Sequence, residues 1–146
     1  MTARIHIVGI GDDGLDGLTP HARQLIDKAE VIIGSAVLLD KVPATRAERI
    51  ESGGNLEELQ KQIVNLPDVP TVMLASGDPL FYGISRFLTE SFGKDRCEVV
   101  PHVSSMQLAF ARVKESWDDA FLSNVATHAL DRVVVNSRTA GRVGLF

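Results

Sequence analysis

Thr71-Val72-Met73-Leu74-Ala75-Ser76-Gly77-Asp78-Pro79 is the stretch on which the reading of the chain turns. From Val72 to Ala75 every side chain is apolar and none alternates with a polar one, the pattern of a strand covered on both faces and hence of a parallel sheet. Ser76-Gly77-Asp78-Pro79 breaks that run with turn residues. Proline fits the first position of a helix, where an N–H would have no partner in any case. The stretch therefore predicts a buried strand, a tight loop and a helix over about residues 80–91, closed by Gly93.

The same alternation extends in both directions. Downstream, Cys97-Glu98-Val99-Val100 reads as a strand and residues 104–113 as a helix. Upstream, Ile5, Ile7, Val8 and Ile10 form a strand that runs into Gly9-Ile10-Gly11, and Thr19-Pro20 signals a helix start with Thr19 as N-cap. Ala22, Leu25, Ile26 and Ala29 give that helix one apolar face. Val31-Ile32-Ile33-Gly34 is a second interior strand, residues 35–42 a short helix, Arg49-Ile50-Glu51 a brief strand, and Asn55 caps a helix over about 56–65. Strands alternate with helices, so the fold class is α/β, a mainly parallel sheet with flanking helices.

After Val113 the pattern changes. Residues 114–119 are polar around the single Trp117, residues 121–126 read as a strand, 127–140 carry a weak helical pattern, and Val143-Gly144-Leu145-Phe146 resembles a strand that has barely begun. The expectation is a first α/β domain over residues 1–113, followed over 114–146 by a linker and the start of a second, incomplete α/β domain.

Composition narrows the function. The chain has 146 residues, 45% hydrophobic and 23% charged, with a net charge of −4. No basic field exists to hold a nucleic-acid backbone. No apolar run approaches the roughly 20 residues of a membrane-spanning helix, and no basic-then-apolar leader opens the chain, so a cytoplasmic protein is expected. Cys97 stands alone, which excludes an internal disulfide, and no pair of histidines has a metal-ligand spacing with a carboxylate, so no metal site is expected.

Gly9-Ile10-Gly11-Asp12-Asp13-Gly14 fits the glycine pattern of dinucleotide-binding loops. That motif works only where the glycines feed directly into a helix N-terminus that binds pyrophosphate. Here the helix signal waits until Thr19-Pro20, and Asp12 and Asp13 would repel a pyrophosphate at about 4 kcal/mol each for a separation of about 4 Å and an effective dielectric of about 20. Glycine backbone flanked by carboxylates suits a zwitterionic or cationic ligand, or else forms a solvated turn.

In an open parallel sheet, ligands lie beyond the carboxyl ends of the strands. Three loops share that edge: 9–18, 76–83 and 102–107. In the second, Gly77 allows close backbone approach and Asp78 either faces a ligand or caps the following helix. In the third, Ser104 and Ser105 offer hydroxyls at a helix start, for a ligand or for capping. His102 precedes them.

The order and spacing of these segments identify a resemblance. Gly9-x-Gly11 with Leu18-Thr19, then Ser76-Gly77-Asp78-Pro79-Leu80-Phe81-Tyr82-Gly83, then Ser104-Ser105-Met106-Gln107 resembles the tetrapyrrole methylases, which use S-adenosyl-L-methionine. Leu-Phe-Tyr-Gly after Gly-Asp-Pro, the Ser-Ser-Met-Gln helix start and Ser116-Trp117-Asp118-Asp119-Ala120 are similar to the branch that methylates C5 of a precorrin or cobalt-precorrin in cobalamin synthesis. The resemblance covers residues 4–126. Two departures stand out: Gly11-Asp12-Asp13-Gly14 where the family often has Gly-Pro-Gly, and Ser123-Asn124-Val125-Ala126-Thr127-His128 where the C5 branch has Ser-Leu-His-Gly-Arg.

The resemblance implies a cofactor site built from Gly11, Asp12, Gly77, Asp78, Phe81, Ser104 and Ser105. Asp12 is equally explained as a solvated turn residue. No catalytic residue is assigned. Methyl transfer from sulfur to carbon is an in-line displacement that needs alignment and exclusion of water more than an enzyme nucleophile. His102 is a candidate to take up the proton released, or is simply bonded within its loop. Arg86, Arg112 and Lys114 are candidates to meet the substrate's carboxylates, or are solvated helix residues. The resemblance further implies a homodimer. Another methylase of the family acting on a different position or compound, and a non-catalytic binding or assembly fragment, are the alternatives.

Overall fold

The computed structural model describes residues 4–146. The chain divides into two compact units, one ending at Ser104 and the other spanning Ser105–Phe146.

The first unit is a five-stranded parallel sheet. Its strands are β1 (Ile5–Ile10), β2 (Val31–Gly34), β3 (Glu48–Glu51), β4 (Thr71–Ser76) and β5 (Cys97–Val100), in the order β3-β2-β4-β1-β5. β1 thus lies between β4 and β5, with Ile5 opposite both Thr71 and Cys97 and Val8 opposite both Leu74 and Val100. The strand predicted from Val72-Met73-Leu74-Ala75 is central and buried.

Alternation along the strands sends side chains to two separate cores. Val8, Ile10, Ile32, Val72 and Leu74 pack with Ala22 and Ile26 of α1 (Pro20–Lys28) and Leu38 and Leu39 of α2 (Ala36–Asp40). Ile5, Ile7, Val31, Ile33 and Met73 pack on the other side with Leu59 and Ile63 of α3 (Leu56–Val64) and Leu88 of α4 (Ser85–Phe92). Each Val, Leu, Ile or Met side chain among them contributes about 1.5–3 kcal/mol on burial. The unit is therefore a helix, sheet, helix sandwich whose strands point their carboxyl ends to one edge.

The local signals operate as read. Thr19 Oγ1 accepts from the amide of Ala22 at 3.2 Å with Pro20 opening α1, and Asn55 Oδ1 accepts from Glu57 and Glu58 at the start of α3. β3, at the outer edge, is mostly exposed and carries Glu48, Arg49 and Glu51, charges that blunt an unpaired edge.

One element is corrected. The helix expected over about 80–91 begins only at Ser85. Pro79 does not open it. Residues 79–84 make an extra turn in which Asp78 Oδ1 accepts from the amide of Leu80 at 2.9 Å and the Asp78 carbonyl accepts from Phe81 at 3.0 Å. Tyr82 then takes φ 53°, a left-handed conformation no helix tolerates, which costs a non-glycine residue about 1–2 kcal/mol. A Cβ on Gly83 would strike the Pro79 carbonyl, so only glycine permits this compact turn.

The second unit comprises α5 (Ser105–Val113), β6 (Phe121–Ser123), α6 (Leu130–Ser137) and β7 (Val143–Leu145). β6 and β7 pair in parallel, with Leu122 opposite Gly144, and Val133 of α6 is buried. β6 is shorter than the strand expected over 121–126, because the Asn124 carbonyl accepts the amides of Thr127 and His128 and turns the chain. α5 is grouped with this unit, whereas the sequence pattern alone sets the division after Val113. A Cβ on Gly144 would stand 2.5 Å from the Met106 sulfur, so α5 lies directly against β7. Arg142 ties the unit together with ion pairs to Glu115 at 2.9 Å and Asp119 at 3.0 Å.

Candidate functional site

The order β4-β1-β5 brings the loops after these three strands to one edge, with the β1 loop in the middle. Their closeness is set by glycines. A Cβ on Gly9 would collide with the Gly77 carbonyl and stand 2.8 Å from the backbone nitrogen of His102. One residue type therefore allows all three loops to meet. Gly77 has φ 62°, a left-handed turn at the end of β4, and its amide donates to the Ile10 carbonyl at 3.0 Å. A Cβ there would meet Ser104 Cα at 3.2 Å.

The β1 loop does not feed a helix. Gly11 and Gly14 form an antiparallel bridge, a single 3-10 turn covers Leu15–Gly17, and α1 starts only at Pro20. The geometry required for pyrophosphate at a helix N-terminus is therefore not the one these glycines build.

The structure brings Gly11, Gly77, Asp78 and Ser104 to this edge in the first unit. Asp78 and Gly77 are partly covered and Ser104 is buried. Phe81, half-buried, meets Tyr82 edge to face at a centroid distance of 5.2 Å, and Leu80, Phe81, Tyr82, Gly83 and Arg86 line a shallow hollow. Asp12 is not gathered inward: its carboxylate is fully exposed and hydrogen-bonded by Lys41 Nζ at 2.6 Å. That bond and the ammonium charge hold its carboxyl below the ordinary value. Ser105 is exposed at the start of α5 in the second unit. Arg86 forms an exposed pair with Glu90 one helical turn on, at 2.9 Å.

Two residues of the edge escaped the sequence reading. Asp13, not Asp12, reaches His102, and Lys41 donates to the Gly11 carbonyl at 3.3 Å from the end of α2. The pair Asp13 and Gly17 was the available signal, since a Cβ on Gly17 would overlap the Asp13 carboxylate. Lys41 has no signal in the sequence. Among the described residues no three His, Cys, Asp or Glu side chains are gathered as a metal ion would require.

The glycine-joined edge of a parallel sheet fits many ligands, and comparison with known proteins narrows them. The sequence matches the model of the tetrapyrrole (corrin/porphyrin) methylases over residues 4–143. The chain belongs to this family. As a tetrapyrrole methylase it is 35% identical over 118 residues to the cobalt-precorrin-7 C(5)-methyltransferase of Salmonella typhimurium, an alignment covering 81% of this chain and 59% of that protein. Among solved structures, the precorrin-6Y methylase of Archaeoglobus fulgidus superposes with a TM-score of 0.70 at 27% identity, covering 88% of this methylase chain and 67% of that one. The uroporphyrin-III C-methyl transferase of Thermus thermophilus, in its complex with S-adenyl homocysteine, shares the fold with a TM-score of 0.62 at 23% identity, over 84% of this chain and 58% of that one. The tetrapyrrole methylase chain thus spans about three-fifths of the length of the curated relative it matches.

Proposed function

We propose that this chain carries the methyl-donor site of a methyltransferase that transfers a methyl group from S-adenosyl-L-methionine to C5 of a precorrin or cobalt-precorrin in cobalamin synthesis. The observation that carries the reading is the meeting of the three loops through Gly9, Gly77 and His102 at the carboxyl edge of β1, β4 and β5. Similarity to a C5-methyltransferase and to a precorrin-6Y methylase supports the choice of reaction.

The residues present fit the donor. S-adenosyl-L-methionine supplies a methyl group on a positively charged sulfur, open to in-line attack by a carbon nucleophile. Gly77 and Gly11 offer backbone that a ligand can approach closely, and their surroundings are rich in acceptors: the loop carbonyls and the Asp78 carboxylate. Such acceptors suit a cation and an amino acid ammonium. Phe81 presents an apolar face for the less polar part, and Ser104 and Ser105 bring hydroxyl donors. Asp12, held by Lys41, contributes charge from the rim of the loop. The task of these groups is to orient sulfur, methyl and acceptor carbon and to exclude water. Attraction to the bound donor alone raises affinity without raising the rate, so alignment is the contribution that accelerates transfer.

For the corrin precursor's carboxylates, Arg86 beside Tyr82, and Arg112 and Lys114 at the end of α5, are the proposed partners. We place the working enzyme in the cytoplasm as a homodimer. No described helix is long and apolar enough to cross a membrane, and exposed Val113, Trp117 and Val135 supply apolar surface for a subunit contact.

Calorimetric titration with S-adenosylhomocysteine should show one-site binding, and its absence would count against the donor site. Incubation of the chain with isotopically methyl-labelled donor and a precorrin, read by NMR of the product, should place the label on C5. Label at another ring position would reassign the substrate.

A further inference from the structure

Asp13 lies in the loop after β1 and His102 in the loop after β5. Because β1 sits beside β5, the two side chains meet: His102 Nε2 is 3.6 Å from Asp13 Oδ1, an ion-pair rather than a hydrogen-bond separation. The imidazole is largely covered, with its side chain 14% exposed, while the carboxylate is about half exposed at 54%.

Glycines make room for both groups. A Cβ on Gly11 would stand 2.7 Å from His102 Nε2 and 2.8 Å from Asp13 Oδ1. One on Gly17 would overlap the Asp13 carboxylate, so the acid is seated against that backbone. Asp13 also organises its own loop. Its carbonyl accepts the Asp16 amide at 3.2 Å, which leads into the 3-10 turn at Leu15–Gly17. His102 in turn packs its backbone nitrogen and Cβ against Gly9, the residue at which the β4 loop also arrives. The ring is thus anchored at the junction of three loops and reaches out to the middle one.

We propose that Asp13 and His102 are a positioning pair: the imidazole seats the Asp13 carboxylate and holds the Gly11–Gly17 loop in the shape that receives the methyl donor. The proposal rests on the reading of this edge as the S-adenosylmethionine site. The charged neighbours are Asp13 on the β1 loop, Asp12 on the same loop, and Lys41 from α2, whose amine donates to both Asp12 and the Gly11 carbonyl. Loop order and donor affinity therefore depend together on this contact.

The test uses the whole chain and two readouts. The first is hydrogen exchange at the amides of Gly14, Asp16 and Leu18, all of which donate within this loop. The second is calorimetric affinity for S-adenosylhomocysteine. The forms compared are wild type, H102A, H102Q, D13N and the double variant D13N/H102A. H102A and D13N should each speed exchange and weaken binding about tenfold, with the double variant no worse than either, as for two members of one pair. H102Q, whose amide nitrogen can occupy the position of the ring Nε2, should retain loop protection and most of the affinity. Unchanged exchange in H102A, or effects that multiply in the double variant, would overturn the pair. Exchange that responds as expected, with no binding by any form, would instead sink the cofactor reading on which the proposal stands.

Discussion

Gly9 and Gly77 come so close that the carbonyl of one occupies the place a side chain on the other would need. No loop rearrangement relieves a Cβ at Gly9, because the second atom it meets is also backbone, the nitrogen of His102. Gly9→Ala should therefore destabilise the first unit by about 1–3 kcal/mol, the usual cost of overpacking, and lower affinity for S-adenosylhomocysteine at the same time.

Gly144→Ala offers the contrast. Its new Cβ would meet the sulfur and Cε of Met106 and a terminal methyl of Leu122, ends of flexible side chains that can swing aside. The expected loss is about 1 kcal/mol or less, at the low end of overpacking costs. Urea unfolding of the two variants measures the difference, and an equal loss in both would refute the distinction between backbone and side-chain neighbours.

Asp78 combines two tasks that substitutions can separate. Asp78→Ala removes the acceptor of the Leu80 amide and should cost about 0.5–1.5 kcal/mol of stability. Asp78→Asn keeps an acceptor oxygen and should unfold close to wild type, yet bind S-adenosylhomocysteine at least several-fold more weakly because the charge is gone. A normal affinity in the asparagine variant would reduce Asp78 to a turn residue.

Glu98 predicts an acid limb. His21 Nε2 at 2.9 Å and His6 Nδ1 at 3.0 Å meet its two oxygens, and the bond from His21, with the charge of His6, holds the carboxyl below its ordinary value of 4.5 despite partial burial. A group with a depressed pKa stabilises the fold above its unfolded value and loses that contribution as pH falls through the folded one. Stability should thus decline below about pH 4.5 on this account, and Glu98→Gln should flatten that part of the profile in thermal melts between pH 3 and 6. Since the site is open to solvent, the change should be modest.

The parts of the fold legible in the sequence were those governed by neighbours along the chain. Val72 to Ala75 reads as an interior strand, and Thr19-Pro20 and Asn55 as helix starts, because hydrophobic period and capping are local. The turn at 79–84 was not legible, because proline before an apolar run looks the same whether it begins a helix or precedes one. The left-handed Tyr82 that decides the matter is an aromatic residue with no such preference. At the site, Gly77, Asp78 and Ser104 were legible as loop residues at strand ends. Their proximity to Gly9, and the choice of Asp13 over Asp12 as the partner of His102, depend on which strands are neighbours. Alternating strands and helices do not reveal that order.

Within this sheet β1 comes before its two neighbours along the chain, and both of them are made much later. Until β4 and β5 emerge, both its edges carry unpaired amides and carbonyls, and Ile5, Ile7, Val8 and Ile10 have no completed core to enter. Pairings so distant along the chain close slowly, and open edges invite contact with other nascent chains. The same seating that lets one short loop meet two others therefore makes the first strand the last to be secured, and ties the yield of folded protein to how quickly synthesis passes Val100.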